Sequence, residues 1–517
     1  MYFPRFNKKT SNENKKAVID SHVEKLNNTA KSDKIKNNLK DNITLIGDLF
    51  SDVDIFILRE FQNINYSKLK YCIAYCDGVV DSENINGNII LPLSQSKINV
   101  SGSDSAERII NEVILIDQTK ITDDINELIE AISYGDTVLF IENTDKAIIL
   151  NTKGFTLRAI TEPDTERVLS GPREGFNESL IQNLSLVRRK LRTNKLKMKF
   201  MTLGRETRTK TCICYLEGIV NKDVLNELYK RLEKIDIDGV LDTNYITELI
   251  KEPKWSLFRS TGSTERPDVI VAKLLEGRVA VFLDGTPVVI TVPYLFIENF
   301  QNNEDYYLNF YYASISRLFR ILGFILTIMI PAIYIMIVAY HHEMLPTKLM
   351  INITKERSSV PLPAALEALI LLLVFDILKE TGIRMPSNIG QALSIVGALV
   401  IGESAVAAKL VAAPMIIIVA MTGITSLLVS NLNESLIYLR FFLLFSASLL
   451  GIFGLMVGVS LIIVHIINLT SMGVSQLTIT GSLKKENQQD IFVRTPWWNM
   501  IIRPKDLSSN KVRSKKI

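Results

Sequence analysis

The pattern of apolar and polar residues divides the chain into two regions of different kind. Up to about residue 310 the apolar residues come in short periodic groups separated by polar turns, whereas residues 320–470 contain nearly all of the long apolar runs. Short periodic groups are typical of helices and strands with one buried face, and long runs are typical of membrane segments. The sequence therefore predicts an α/β region followed by an α-helical polytopic membrane domain.

Two stretches of the α/β region occur twice in the same order. Tyr71–Val80 (YCIAYCDGVV) has a counterpart in Thr211–Val220 (TCICYLEGIV), and each is an alternating strand that ends at an acidic residue and a glycine. Ala131–Phe155 matches Leu274–Phe296, because each contains a glycine, two strands and a tight turn, the pattern of a β-hairpin. We therefore predict two related α/β subdomains, at residues 42–165 and 198–305. The first opens with an apolar, helix-like segment, Ile43–Phe61.

A segment at residues 166–197 connects the two predicted subdomains. Gly171-Pro172 is expected to interrupt regular secondary structure in this segment, and Gly175 allows a backbone conformation that other residues resist. Asn177 is placed to cap a helix, in which apolar residues then recur at helical spacing. By spacing alone this segment is an amphipathic surface helix. The polar segment Arg259–Pro267 is predicted to be a surface loop, with an anion-binding nest as the alternative.

The membrane domain, residues 306–470, is predicted to contain four to five membrane segments. Tyr306–Arg320 is expected to lie at the interface and to lead into the span Ile321–Tyr340. Leu362–Leu378 carries Glu367 and Asp376, so it is expected to be re-entrant, to lie along the interface or to line a water-filled path. The remaining predicted segments are Ile389–Leu410, Val411–Val429 and Phe441–Ile467.

Charge is concentrated at the two ends. The first 40 residues carry ten lysines and arginines against four acidic residues, and the last 36 carry nine against three, so the net charge of +4 conceals an acidic middle. This distribution argues against a nucleic-acid-binding protein and favours solvated tails, at residues 1–41 and 471–517, near an anionic membrane surface. Arg317 and Arg320 precede the first span, so the α/β region is predicted to be cytoplasmic. The basic C-terminal tail favours the same side.

The sequence offers no catalytic constellation, because HExxH, GxSxG and Walker motifs do not occur in it. The spacing of Cys72 with Cys76, and of Cys212 with Cys214, places each pair on one strand face and predicts core packing. A metal site is the alternative, but no CxxC spacing is present. We therefore expect no enzyme activity, metal or cofactor.

The segment Ile389–Leu410 is the strongest physical indication of function in the membrane domain. Ser394, Ala398 and Gly402 are four residues apart, so they form a stripe of small side chains that lets helices approach closely. Glu403 next to this stripe is an ionisable group in an apolar helix. Tight packing alone and the lining of a pore both explain the stripe. The candidate residues of this helix are Ser394, Gly397, Ala398, Ile401, Gly402 and Glu403.

Two motifs in the right order resemble one family, the A subunits of GerA-type spore germinant receptors. The first motif consists of Gly171, Pro172, Arg173, Glu174, Gly175, Phe176, Glu178, Asn183, Arg188 and Arg189. The second motif is Thr381–Pro386 followed by Ile389–Ala392 and Ser394–Gly402.

The resemblance implies a membrane subunit of a nutrient-sensing receptor in the inner membrane of the endospore. It would act with a transporter-like B subunit and a lipoprotein C subunit, as a homo-oligomer whose membrane part conducts cations when germinant is sensed. The first motif would then serve assembly, and the helix Ile389–Glu403 would form the conducting path. A scaffold that relays the signal to a separate channel is the alternative. A solute transporter fits less well, because the membrane region shows no internal repeat.

Overall fold

The structure is a computed structural model. Two compact units make up the chain. The first consists of residues up to Ile250, Thr261–Pro293 and the C-terminal segment from Trp498, and the second consists of Lys251–Ser260 and Tyr294–Trp497. The residues that the structure describes are 35–97 without 68, 105–154, 166–384 without 169, 400, 402–477, and 490–513 without 505, 506 and 511.

The first unit is built around two antiparallel five-stranded sheets. The strands of the first sheet are β1 (Phe56–Gln62), β2 (Lys70–Cys76), β3 (Thr119–Thr122), β4 (Thr137–Ile141) and β5 (Ala147–Leu150). Those of the second are β6 (Leu196–Leu203), β7 (Thr209–Leu216), β8 (Gly262–Thr264), β9 (Val279–Leu283) and β10 (Val289–Val292). The strand orders β1-β2-β4-β5-β3 and β6-β7-β9-β10-β8 are equivalent, which confirms that the α/β region contains two related subdomains.

The pairing register repeats as well. Cys72 on β2 lies opposite Phe140 on β4, and Cys212 on β7 lies opposite Phe282 on β9. Cys72 and Cys212 hold the same position in the two matching sequence stretches. The match between these stretches is therefore also a match in three dimensions.

The helices of the first unit cover these sheets. The expected helix Ile43–Phe61 is wrong in its second half, because FILREFQ pairs with β2 along its whole length as β1. The helices are α1 (Leu39–Leu49), α2 (Ser82–Ile85), α3 (Leu91–Gln95), α4 (Ser105–Glu112), α5 (Ile125–Tyr134), α6 (Leu180–Lys190), α7 (Lys222–Leu232), α8 (Thr243–Ile250) and α9 (Pro267–Leu275), with a π-helical turn Asn86–Ile90 between α2 and α3.

The second unit is a bundle of apolar helices. Two helical stretches of the described chain are long and apolar enough to cross a membrane, Phe310–Ala339 and Ser430–Ile467. The first merges the expected interface helix with the expected span. The helices of this unit are α10 (Phe310–Ala339), α11 (Thr347–Arg357), α12 (Ala364–Arg384), α13 (Ala413–Leu427) and α14 (Asn433–Ile467).

Helix α14 reverses direction at Gly451, where φ is 57° and ψ is −132°. A Cβ atom on Gly454 would lie 1.9 Å from the Ser446 carbonyl oxygen, and one on Gly458 would lie 2.8 Å from Leu443 Cδ2. In a straight helix, residues eight apart are separated by about 12 Å. The expected single span Phe441–Ile467 is therefore wrong, and α14 is a helical hairpin whose two halves meet at Gly451.

Helix α12 is a full member of this bundle. Its residue Glu367 accepts a hydrogen bond from the Ala412 N–H at 2.6 Å, and Phe375 packs against Gly423, so α12 and α13 run in the same direction. Lys379 donates to Asn433 Oδ1 at 3.0 Å and Asp376, one turn earlier, pairs with Arg440, so the first half of α14 runs antiparallel to α12. The 21-residue α12 has the length of a membrane span.

Candidate functional site

The motif helix, α6, belongs to the same hydrophobic core as both sheets. Leu180, Leu184 and Val187 are at most 2% exposed and lie in one cluster with buried residues of β2, β4, β7 and β9. The interpretation of this segment as a surface helix is therefore wrong. Burial of its apolar stripe on two sheets makes α6 the element that joins the subdomains.

The turn before α6 is shaped by Gly171. This residue has φ 117°, a left-handed conformation that favours glycine, whereas Gly175 has no positive φ. The conformational role expected for Gly175 therefore belongs to Gly171. The next residue, Pro172, accepts a hydrogen bond from Arg266 Nη2 through its carbonyl oxygen at 2.9 Å.

Arg266 connects the turn to the second subdomain. It is 2% exposed, pairs with Asp268 at 2.8 Å, and also donates to the carbonyl oxygen of Glu166 at 3.3 Å. The Glu166 carboxylate in turn accepts from the Thr264 hydroxyl at 2.6 Å. The end of the predicted surface loop Arg259–Pro267 is therefore buried, because its polar groups are satisfied by the turn before α6.

Phe176 fixes the entry into the helix. Its ring is 7% exposed and packs edge-to-face on Phe282, with centroids 5.5 Å apart. Its backbone N–H donates to the Glu265 carbonyl oxygen at 2.7 Å. An aromatic anchor and a backbone hydrogen bond thus hold the same residue against the second subdomain.

The N-terminus of α6 is capped from another part of the chain. The helix begins after Ser179, whose side chain makes no capping hydrogen bond. Instead, Asp284 Oδ1 in the β9–β10 turn accepts from the Leu180 N–H at 3.0 Å, and the Gly285 N–H donates to the Glu178 carbonyl oxygen at 2.8 Å. The expectation that Asn177 caps the helix is therefore wrong.

Asn177 pairs with Asn183 instead. The Asn177 N–H donates to Asn183 Oδ1 at 2.9 Å, and Asn183 Nδ2 donates to the Asn177 carbonyl oxygen at 2.6 Å. Asn183 is 1% exposed, so this two-way bond satisfies a buried amide. It folds the end of the motif back onto the first turn of α6.

A small ion cluster closes the motif at its other end. Glu174 pairs with Arg189 and with Lys190, whose Nζ lies 2.8 Å from Glu174 Oε2. Desolvation by burial raises the pKa of Glu174, but Lys190 and Arg189 outweigh it, so that the net pKa is lowered. The cluster ties the start of the motif to the last turn of the helix.

Arg188 is the most buried charge of the motif. It is 0% exposed, and its Nη1 donates to the Thr193 carbonyl oxygen at 2.9 Å and its Nη2 to that of Leu196 at 3.3 Å. Its role here is to satisfy carbonyl groups between α6 and β6.

The structure thus brings the ten motif residues together as one structural unit. Their polar groups are directed mainly at other parts of the chain, which suits a structural role more than binding of a small ligand. The motif residues that are exposed are Gly171, Arg173 and Glu178.

The four cysteines are buried, as predicted. Desolvation raises the pKa of Cys72 to about 12 and also raises the pKa of Cys76. Cys212 and Cys214 lie with their Sγ atoms 3.8 Å apart. The described residues include no group of three or more His, Cys, Asp or Glu side chains arranged to hold a metal ion.

The second candidate site lies mostly outside the described residues, which do not include Ser394, Gly397, Ala398 or Ile401. Of the remaining two candidates, Glu403 is exposed and Gly402 is half-buried. A Cβ atom on Gly402 would meet Ile416 of α13 at an ordinary 3.9 Å. These two residues lie in a helical segment that precedes α13.

A network of charged side chains lies inside the bundle, and the sequence identifies only part of it. Asp376 pairs with Arg440, which is 2% exposed, and Lys379 donates to Ser426 Oγ at 3.3 Å and to Asn433 at 3.0 Å. The sequence indicated Asp376 as a costly charge in an apolar helix. Its partner lies 64 residues away, so no local signal identified it.

A family model described as "Bacillus/Clostridium GerA spore germination protein" matches residues 44–506. The chain is 39% identical over 475 residues to "Uncharacterized membrane protein YfkQ" of Bacillus subtilis (strain 168), covering 92% of this chain and 91% of that protein. It is 36% identical over 463 residues to "Spore germination protein KA" of the same organism, covering 89% and 85%.

A solved structure is also similar in part. It is the N-terminal domain of the A subunit of the Bacillus megaterium spore germinant receptor GerK3, at 30% identity and a TM-score of 0.42. The match covers 52% of this chain and 98% of that one.

Proposed function

The chain belongs to the GerA family of spore germination proteins, and we propose that it is the A-type membrane subunit of a nutrient germinant receptor. The match across residues 44–506 carries this proposal, because it includes both the α/β unit and the helical unit. Deletion of the gene from its spore-forming host, followed by nutrient exposure of the spores, tests it. Spores that lose the response to one nutrient and regain it on complementation support the proposal, and an unchanged response to every nutrient contradicts it.

We further propose that the subunit forms an oligomeric cation channel gated by germinant. The polar network of Asp376, Lys379 and Arg440 supports this, because charged groups inside an apolar bundle mark ion or proton paths by default. The helix Ile389–Glu403 is the proposed conducting path. Assembly of the oligomer would depend on the motif residues Gly171–Phe176, Glu178, Asn183, Arg188 and Arg189. The buried Phe176, Asn183 and Arg188 would shape the segment, and its exposed residues would meet the next subunit.

The release of potassium from spores after germinant addition tests the channel proposal. Glu403→Gln is expected to change the rate of release while the protein still reaches the membrane, because the substitution removes a charge from the proposed path. Glu356→Gln, an exposed position on α11, is the matched control. If potassium release is unchanged in Glu403→Gln and in a variant with a bulky residue in place of Ser394, the scaffold hypothesis is favoured, in which a separate channel conducts the ions.

As partners we propose a transporter-like B subunit and a lipoprotein C subunit of the same receptor. The names of relatives support this proposal, because these names identify A-type germination proteins. Co-purification of the tagged chain from spores with both subunits is the expected result. Recovery of the chain without either subunit contradicts the assignment of partners.

We propose the inner spore membrane as its location, with the α/β unit on the cytoplasmic side. The C-terminal segment supports an even number of membrane crossings, since it folds with the α/β unit. The Ser509 N–H donates to the Ile219 carbonyl oxygen at 2.9 Å, and Arg513 pairs with Glu276 at 3.0 Å. A chain that leaves the α/β unit at Pro293 and rejoins it at Trp498 must return to the side on which it started.

A further inference from the structure

The C-terminal segment, residues 498–513, occupies a position on the second subdomain that a local stretch occupies on the first. Val80, the last residue of the first repeated stretch, forms an antiparallel bridge with Lys153. Val220, its counterpart in the second stretch, forms an antiparallel bridge with Ser508. Ser508 therefore takes the place of Lys153, although the two residues lie in unrelated parts of the chain.

The hydrogen bonds beside these two bridges are equivalent as well. The Gly154 N–H donates to the Val79 carbonyl oxygen at 3.2 Å. In the second subdomain, the Ser509 N–H donates to the Ile219 carbonyl oxygen at 2.9 Å. Main-chain hydrogen bonds of this kind are one way in which domains bind extended peptides.

The two pieces differ in how they are attached to the chain. Lys153 follows β5 within a few residues, so it belongs to the same hairpin region that it completes. The chain after β10 instead leaves the first unit at Pro293 and returns only at Trp498. The second subdomain thus receives a segment from the far end of the chain at the position where the first subdomain uses its own residues.

The C-terminal segment has internal hydrogen bonds that give it the form of a hairpin. Ile502 forms an antiparallel bridge with Val512, and the Arg513 N–H donates to the Ile501 carbonyl oxygen at 2.8 Å. These bonds lie within the segment, so they favour the same shape whether or not it is docked. A pre-organised ligand loses less conformational freedom when it binds.

Polar contacts at the C-terminal end of α9 hold the segment. Residues 498–517 contain six lysines and arginines against one aspartate. Arg513 pairs with Glu276 at 3.0 Å, and Arg503 donates to the Leu275 carbonyl oxygen, at a helix end that favours cations. Partly exposed ion pairs contribute little stability and are screened by salt, so such contacts favour reversible docking.

Apolar burial of the segment is limited and local. Among the described residues, Met500 and Leu507 are buried but do not belong to the core cluster that α6 shares with both sheets. Ser508 is 4% exposed, and a Cβ atom on Gly277 would lie 2.7 Å from Ser508 Cβ. A large side chain in place of Ser508 therefore has no room.

We propose that the second subdomain carries a binding site for a basic peptide hairpin with a small residue at the bridge. The chain's own C-terminal segment occupies this site as a detachable ligand, whereas the equivalent piece of the first subdomain is a fixed part of its fold.

Peptide binding to the full-length protein tests the proposal. Ser508→Trp should displace the protein's own segment, and the open site should then bind a fluorescent peptide of residues 498–517 saturably in a polarisation assay. The unsubstituted protein should bind this peptide more than about tenfold more weakly, since its attached segment competes at a high effective concentration. Ser509→Trp, the same change at the exposed neighbouring serine, is the matched control and should behave like the unsubstituted protein.

Variant peptides test what the site recognises. A peptide with Ser508→Trp should not bind measurably, because the bridge position has no room for the ring. A peptide with Arg513→Gln should bind about fivefold more weakly, since its ion pair with Glu276 is lost.

Hydrogen exchange of the unsubstituted protein decides the question if Ser508→Trp does not fold. The Ser509 N–H should exchange faster than the Gly154 N–H, because a detachable segment opens without unfolding of a subdomain. The proposal is overturned if the peptide fails to bind folded Ser508→Trp or binds Ser509→Trp equally well. Where Ser508→Trp does not fold, equal exchange rates overturn it. Neither measurement needs a germination response, so its outcome is separate from that of the receptor proposal.

Discussion

The carboxylate of Asp284 accepts a hydrogen bond from the backbone N–H of Leu180 at 3.0 Å, across 104 residues of sequence. The hairpin turn of the second subdomain thus supplies the cap that the motif helix lacks in its own sequence. The helix in turn shares a hydrophobic core with the first subdomain. The hydrogen bond between Asp284 and Leu180 therefore connects the second subdomain to a helix that packs in the core of the first.

Replacement of Asp284 by alanine is expected to lower the stability of the α/β unit by about 1 kcal/mol, the usual cost of a lost helix cap. The measurement is the melting temperature of the full-length protein in detergent. Asp145→Ala is the matched control, because Asp145 is exposed in the corresponding turn between β4 and β5. Equal melting temperatures for the two variants would contradict a capping role for Asp284.

Glu174→Gln is expected to reduce the dependence of stability on pH. The net pKa of Glu174 is lowered in the folded protein, so its contribution is present above the pKa of the unfolded chain and is lost as pH falls through the folded pKa. Melting temperatures from pH 7 down to pH 3 should therefore fall less steeply in the variant. The exposed Glu178→Gln is the control, and an identical slope in both variants argues against the ion cluster as the cause.

Gly454→Leu is expected to prevent correct folding of the α14 hairpin. Even a Cβ atom at this position would lie 1.9 Å from the Ser446 carbonyl oxygen, and backbone cannot yield as a flexible side chain does. Membrane yield and protease resistance measure the effect. Gly402→Leu serves as the control, because its nearest neighbour across the bundle, Ile416, is 3.9 Å away. Normal yield and resistance of Gly454→Leu would show that the two halves of α14 do not pack closely.

The side of the C-terminal segment can be measured with single cysteines and a membrane-impermeant thiol reagent. Ser509→Cys is expected to react from the same side as Lys222→Cys, and Glu343→Cys from the other side, since Ser509 folds with the α/β unit. The native thiols are buried, and desolvation raises the pKa of Cys72 to about 12, so they provide an unreactive background. Reaction of Ser509→Cys and Lys222→Cys from opposite sides would rule out an even number of crossings.

Features that have a local signal follow from the amino-acid sequence alone. Alternating strands, turn residues and their repetition predicted the hairpins β4–β5 and β9–β10, and the long apolar runs predicted the helical unit. Periodicity reports which face of an element is buried, so it found the apolar stripe of α6. Periodicity carries no information about how many elements bury that stripe, which is why the sequence predicts α6 at the surface.

Features that join distant residues become visible only in the folded chain. The cap of α6 comes from Asp284, the partner of Asp376 is Arg440, and the C-terminal segment returns to Ile219 and Glu276. A hydropathy pattern is the same for one long helix and for two packed halves, so only the backbone at Gly451 reveals the hairpin of α14. Such contacts depend on how the elements pack, and packing is a property of the whole chain rather than of any segment.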